Sequence, residues 1–185
     1  MQELVALAKT QPGKLTYGTG GSGTPQHMAG ELLNTMAGIR MVHVPYKGAS
    51  PSLLDLVGGR LTAVFGISSV VLPLSRTDKV RALAVTSLQR TGAAPDVPTM
   101  VESGFPDFEA TSWFALLAPA GTPQTIVRKI HGETVKALAQ PDIRTRLTDL
   151  GMDIVGSAPE QLAAIMRAEI PKWAKVVKES GAKLD

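Results

Sequence analysis

The sequence predicts a three-layer α/β fold with a largely parallel sheet. Through the first half, short runs suited to strands alternate with segments of helical apolar spacing, and two of those runs pass into a helix through a glycine-rich loop closed by a hydroxyl residue and proline. A third observation is negative: no apolar run approaches the ~20 residues that a bilayer-spanning helix needs.

The elements follow in order. Leu4, Val5, Leu7 and Ala8 stand at helical spacing, and Pro12-Gly13 stops that helix. Leu15-Thr16-Tyr17 reads as a strand running into Gly18. Thr24-Pro25, a hydroxyl N-cap with proline at the first helical position, opens a helix that runs to about Met36. A strand over 41–45 follows. Ser50-Pro51 repeats the device for a short helix with Leu53, Leu54, Leu56 and Val57 on its apolar face, and Gly58-Gly59 ends it. A strand over 61–65, a helical turn over 70–75 and a fourth strand over 80–85 complete this half, with right-handed crossovers expected.

The second half changes character. After a loop rich in glycine and proline, Thr99-x-x-Glu102 forms a capping box on a single turn that Gly104 closes. Residues 108–117 form a long extended run. Thr122-Pro123 starts a helix with Ile126, Val127, Ile130, Val135 and Leu138 inward; Gln140-Pro141 breaks it before a shorter helix that ends at Leu150-Gly151, and 152–155 is a short strand. From Pro159 a terminal amphipathic helix carries Leu162, Ile165, Met166, Ile170, Trp173, Val176 and Val177 on one face, bent or interrupted at Pro171. Two strands are too few for a free-standing α/β domain. Either this half packs on the first or its missing strands precede Met1.

Composition narrows the function. The 185 residues hold 19 Lys+Arg against 16 Asp+Glu, no cysteine, and 44% hydrophobic against 4% aromatic residues, which excludes a disordered chain and a disulfide scaffold. An excess of three positive charges without any basic stripe implies no nucleic-acid partner. The absence of cysteine removes thiol catalysis and thiolate metal sites but does not distinguish a reducing compartment from an oxidising one. Met1 opens into Gln2-Glu3-Leu4 without a basic start or a small-residue cleavage site, so no signal peptide is expected in this chain.

Two junctions could carry chemistry. Gly18, Gly20 and Gly23 formally satisfy G-x-G-x-x-G between a strand and a helix, where backbone N–H groups and a helix dipole face an anion. The second strand ends His43-Val44-Pro45-Tyr46-Lys47 with no acidic residue to hold a ribose, so a dinucleotide site is not expected. A P-loop lacks its lysine, and the nucleophile elbow fails because Thr24 stands where its last glycine belongs. A cradle for a small carboxylate survives, beside the alternative of a glycine-rich turn with no ligand. The second junction, through Tyr46, Gly48, Ala49 and Ser50, would converge with the first at the carboxyl end of one sheet. His27, His43 and His131 show no ligand spacing and no carboxylate cluster, so neither a metal nor another cofactor is expected. His27 could contact a ligand or brace the loop, the latter being favoured, and His131 reads as a solvated helix residue. No catalytic triad or carboxylate pair can be named, which argues for binding rather than catalysis.

Collinear motifs then carry a resemblance. Glu3-Leu4-x-x-Leu7-Ala8-Lys9-x-x-Pro12-Gly13-Lys14-Leu15-x-Tyr17, Gly20-x-Ser22-Gly23-x-x-x-His27, His43-Val44-Pro45-Tyr46-Lys47-Gly48, Arg81-Ala82-Leu83-Ala84-Val85-Thr86 and Pro95-Asp96-Val97-Pro98-Thr99-x-x-Glu102-x-Gly104 resemble the Bug-type solute receptors of tripartite tricarboxylate transporters. Trp113, Ala118-Pro119-Ala120-Gly121-Thr122-Pro123 and Lys172-Trp173 continue the likeness over essentially the whole chain. The resemblance implies a periplasmic-binding-protein fold of type II, with two α/β lobes closing on a ligand. It implies no enzyme activity, a periplasmic location, a small carboxylate or amino-acid ligand, and transporter subunits in the membrane as partners. Residues 1–107 would be the complete second lobe and 108–185 the returning C-terminal part of the first, the family's export signal and N-terminal segment being absent. The ligand-binding set so implied and read from the junctions is Gly20, Ser22, Gly23, Thr24, His27, Tyr46, Gly48, Ala49 and Ser50. At Val64-Phe65-Gly66 the chain departs from the family, which commonly places an aspartate after the phenylalanine. The competing expectation is an α/β enzyme that acts on a small anionic metabolite through the loop 18–24, and the lack of any nucleophile or base argues against it.

Overall fold

A computed structural model describes residues 1–182. Their contacts divide into two compact units, Met1–Ser112 with the chain from Trp173 onward, and Trp113–Lys172. Residues 108–112 and the last turns of the terminal helix stay with the first unit because Phe108, Ala110 and Val176 are buried in its core.

In the first unit, α1 (Gln2–Thr10) leads to β1 (Thr16–Thr19), α2 (Pro25–Ala37), β2 (Val42–Pro45), α3 (Ala49–Val57), β3 (Ala63–Val64) and α4 (Ser68–Ser75). The described strands form one parallel sheet in the order β2-β1-β3, with Tyr17 opposite His43 and Ala63. Alternation along β1 sends neighbouring residues to opposite faces. Tyr17 meets α2, where Gly30 lies so close that a Cβ there would stand 2.2 Å from Tyr17 Cε2. Gly18 meets the other face, where a Cβ would stand 2.6 Å from Leu61 Cδ1 and 3.1 Å from Ser52 Cβ. Helices thus cover both faces of β1, which is the three-layer arrangement expected.

Two apolar clusters hold this unit: Val5, Leu32, Leu33, Met100, Phe105, Phe108 and Val176 in one, and Ala8, Leu15, Tyr17 and Met41 in the other. Thr24 caps α2 as expected, its Oγ1 accepting the His27 N–H at 3.3 Å with Pro25 next in line. The second cap differs: Gly48, not Ser50, is the N-cap of α3, and Ser50 lies inside the first turn. Gly48 has φ 107°, a conformation that a side chain disfavours, so glycine suits the turn out of β2.

The fourth strand expected over 80–85 does not form. Val85 makes a single bridge, donating its N–H to Pro98 O at 2.8 Å and accepting that of Met100 at 2.9 Å. The Thr99 capping box does form, Thr99 N–H donating to Glu102 Oε2 at 2.7 Å and Glu102 N–H to Thr99 Oγ1 at 3.0 Å. Residues 108–117 also form no strand; their links to the preceding chain include Ala110 N–H to Thr86 O at 3.0 Å and Thr86 Oγ1 to Ala110 O at 2.9 Å. A sequence of high strand propensity becomes a strand only where a partner edge is present.

The second unit contains α5 (Gln124–Leu138), α6 (Pro141–Asp149) and the start of α7 (Pro159–Ser180), which is continuous through Pro171. Thr122 does not cap α5; its hydroxyl donates to Pro119 O at 2.8 Å and Pro123 is the N-cap residue. Residues 152–155 are not a strand. The face of α5 expected inward is open, with Ile126, Ile130 and Val135 all exposed, and none of the described residues of this unit is fully buried. His131 is half-buried rather than solvated, its Nε2 3.5 Å from Gly156 O.

Candidate functional site

The carboxyl ends of β1 and β2 lie side by side because the strands are parallel and in register from Thr16↔Val42 to Thr19↔Pro45. The loop after each strand therefore opens at the same edge of the sheet, followed at once by the N-terminus of α2 or α3. The two loops are tied together: Tyr46 N–H donates to Thr19 O at 3.1 Å, and Gly48 N–H donates to Gly20 O at 3.1 Å. At Gly20 a Cβ would stand 3.5 Å from Ala49 N, so the first glycine loop lies directly across the first turn of α3. This brings Gly20 against Gly48 and Ala49, and Ser22, Gly23, Thr24 and Ser50 follow in the same two junctions.

An α-helix leaves its first-turn N–H groups without intrahelical acceptors and carries partial positive charge there. In α3 those amides are Ala49 and Ser50, since Pro51 has none; in α2 Pro25 has none and His27 N–H is taken by the Thr24 cap. Not every expected amide points outward. Gly48 N–H is spent on Gly20 O, and Gly23 N–H donates to His27 Nδ1 at 3.0 Å. Thr24 Oγ1 donates to Gly21 O at 2.8 Å, which closes the turn onto its own cap.

His27 is 4% exposed and lies behind the loop, and Tyr46 turns its side chain along α3 to donate to Asp55 Oδ2 at 2.7 Å. That hydrogen bond raises the Tyr46 phenol above its ordinary pKa, and it lowers the Asp55 carboxyl together with Arg60, whose Nη1 is 2.6 Å from Asp55 Oδ1. At Gly66, where the resemblance places an aspartate, a Cβ would stand 2.9 Å from Val71 Cγ2, so a side chain there requires Val71 to shift.

Sequence reasoning missed a polar cluster beneath the loop. The His27 and His43 rings stack with centroids 3.7 Å apart and planes 11° apart. His43 Nε2 is 2.7 Å from Thr19 Oγ1, which accepts Gly21 N–H at 3.3 Å. His27 Nε2 is 3.7 Å from Glu31 Oε1, the same oxygen that accepts the Tyr17 hydroxyl. Burial first, and then that bond to Glu31, pushes the Tyr17 phenol well above its ordinary range. The one signal in the sequence was the register: Tyr17 and His43 become neighbours once the two strands are paired. Among the described residues no group of His, Asp and Glu could hold a metal ion.

Residues 1–182 match the tripartite tricarboxylate transporter family receptor. A UPF0065 protein from the tcbD-tcbE intergenic region of Pseudomonas sp. strain P51 is 39% identical over 178 residues, 96% of this chain and 53% of its own length. Protein BugT of Bordetella pertussis is 35% identical over 184 residues, 100% of this chain and 56% of its own. The structure of R. palustris Rpa4515 with adipate superposes with a TM-score of 0.80 at 32% identity, over 100% of this chain and 62% of that one. The chain thus spans about half the length of these curated relatives. The fold is that part of a periplasmic solute-binding protein, a fold of receptors rather than enzymes. By sequence and by fold, the chain belongs to the tripartite tricarboxylate transporter receptor family.

Proposed function

We propose that this chain supplies one wall of an extracytoplasmic receptor that captures a small carboxylate and delivers it to a tripartite transporter in the membrane. The observation that carries the reading is the junction of the two loops through Gly48 N–H and Gly20 O, which opens two helix N-termini at one sheet edge. A carboxylate oxygen there meets the first-turn amides of Ala49 and Ser50 and the cap of α2 around Ser22, Gly23 and Thr24. Gly20 and Gly48 admit it by lacking side chains. His27 and Tyr46 act from behind, through Gly23 and through α3. An amino-acid ligand would present the same carboxylate. In this reading residues 1–107 serve as one lobe, 108–185 return toward the other, and the protein works in the periplasm.

Adipate, seen on a relative, is the natural probe. Titration followed by backbone amide signals should move Thr24, Gln26, Ala49 and Ser50. Gly20→Ala places a methyl at ordinary contact distance from the protein, 3.5 Å from Ala49 N, yet inside the crevice, so the fold should persist. It should weaken adipate at least tenfold, about 1.4 kcal/mol. Equal affinity in the variant, or shifts confined to residues far from both loops, would remove this edge from the site.

A further inference from the structure

We propose that His27 and His43 work as one positioning unit for the glycine-rich loop, each ring holding a different loop residue and the stack locking the two together. The inference rests on the binding reading, since it says how the loop is kept in shape for an anion. His27 acts directly: accepting Gly23 N–H at Nδ1 fixes the neutral ring as the Nε2–H tautomer, with that N–H toward Glu31. His43 acts at one remove: its Nε2 holds the Thr19 hydroxyl, which in turn accepts Gly21 N–H and lies 3.1 Å from Gly21 O. Gly21 and Gly23 both lie in the left-handed region, at φ 147° and 72°, where glycine alone imposes no preference between neighbouring shapes. Two anchors from a rigid base remove that freedom.

The base is rigid because three elements converge on it. His27 comes from the first turn of α2, His43 from β2 and Thr19 from the end of β1. Tyr17 packs against the His43 ring with centroids 5.1 Å apart while its hydroxyl ties Glu31 beside His27. Preorganised donors bind an anion without the cost of ordering the loop on arrival. Neither ring needs to touch the ligand for this, and both are therefore positioning residues.

The amide signals of Gly21 and Gly23 in the 185-residue chain test the unit without any ligand. Thr19→Val, which keeps the side-chain shape, and His43→Phe, which keeps a stackable ring, should each move Gly21 and leave Gly23 nearly in place. His43→Ala removes the stack as well and should move both. A side chain that merely fills space would be replaced by phenylalanine without any change at Gly21. For adipate, His43→Ala should bind at least tenfold more weakly and His43→Phe about threefold, and the Thr19→Val/His43→Phe double variant should be no weaker than the worse single one. An unmoved Gly23 in His43→Ala, or additive losses in the double variant, would overturn the proposal. If the wild-type chain fails to bind adipate, the carboxylate reading falls, and the glycine amides still decide the ring pair.

Discussion

Several separate constraints meet on Tyr17. Its ring is buried, its hydroxyl is spent on Glu31, and Gly30 is small enough for α2 to close over it. Gly30→Ala should therefore force α2 off the sheet and cost about 1–3 kcal/mol, read as a lower midpoint in thermal or urea unfolding. The phenol also makes stability depend on alkaline pH. Its pKa is raised in the folded state, so only the unfolded chain ionises once pH exceeds about 10, and proton release then favours unfolding. The contribution of this phenol should be level below that pH and fall above it by about 1.4 kcal/mol per unit. Tyr17→Phe should flatten that slope, and an unchanged slope would place its origin elsewhere. At this scale the sequence named His27, Tyr46 and the glycines but not the His27–His43 stack, because the two rings meet only where α2 packs over the paired strands and have no helical spacing to betray them.

At the scale of elements, the helices were legible where caps announced them and the strands only where a partner existed. Thr24-Pro25 marked the start of α2 to the residue, and Thr24→Ala should cost about 1 kcal/mol through loss of the bond to His27 N–H. Ser50-Pro51 looked the same in sequence but misled, since Gly48 already turns the chain and Ser50 falls inside α3. The stretches 80–85, 108–117 and 152–155 have the apolar content of strands, yet none finds a ladder; the first makes a lone bridge at Val85, and in the second Ala110 exchanges two bonds with Thr86. The Thr99 turn shows the opposite case, a local device complete in itself. Arg90 first, and then the Thr99 N–H, hold the Glu102 carboxyl below its ordinary pKa, so the support it gives is present near neutrality and lost as pH falls through the acid range. Thr99→Ala should lower the unfolding midpoint at pH 7, and Glu102→Gln should remove part of the acid dependence.

At the scale of the molecule, burial is unevenly shared. The first unit owns both apolar clusters, whereas the second leaves Phe114 85%, Leu116 73% and Leu117 70% exposed and buries none of its described residues fully. Local opening is least costly where few groups are buried. Limited proteolysis should therefore cut first within 113–172 and spare 1–112, and light scattering should detect self-association driven by the exposed side chains. A uniformly resistant monomer would contradict both expectations. The discontinuity of the first unit also has a consequence in time. A ribosome delivers the chain from the amino end, and segments can fold as they emerge. Val176 lies in the same cluster as Val5, Leu33 and Phe108, so the core that closes over α1 and α2 stays incomplete until Val176 has been translated. A nascent chain arrested before Trp173 would hold its sheet and its glycine loops while that core stood open, and would be a substrate for chaperones until the segment around Val176 emerged.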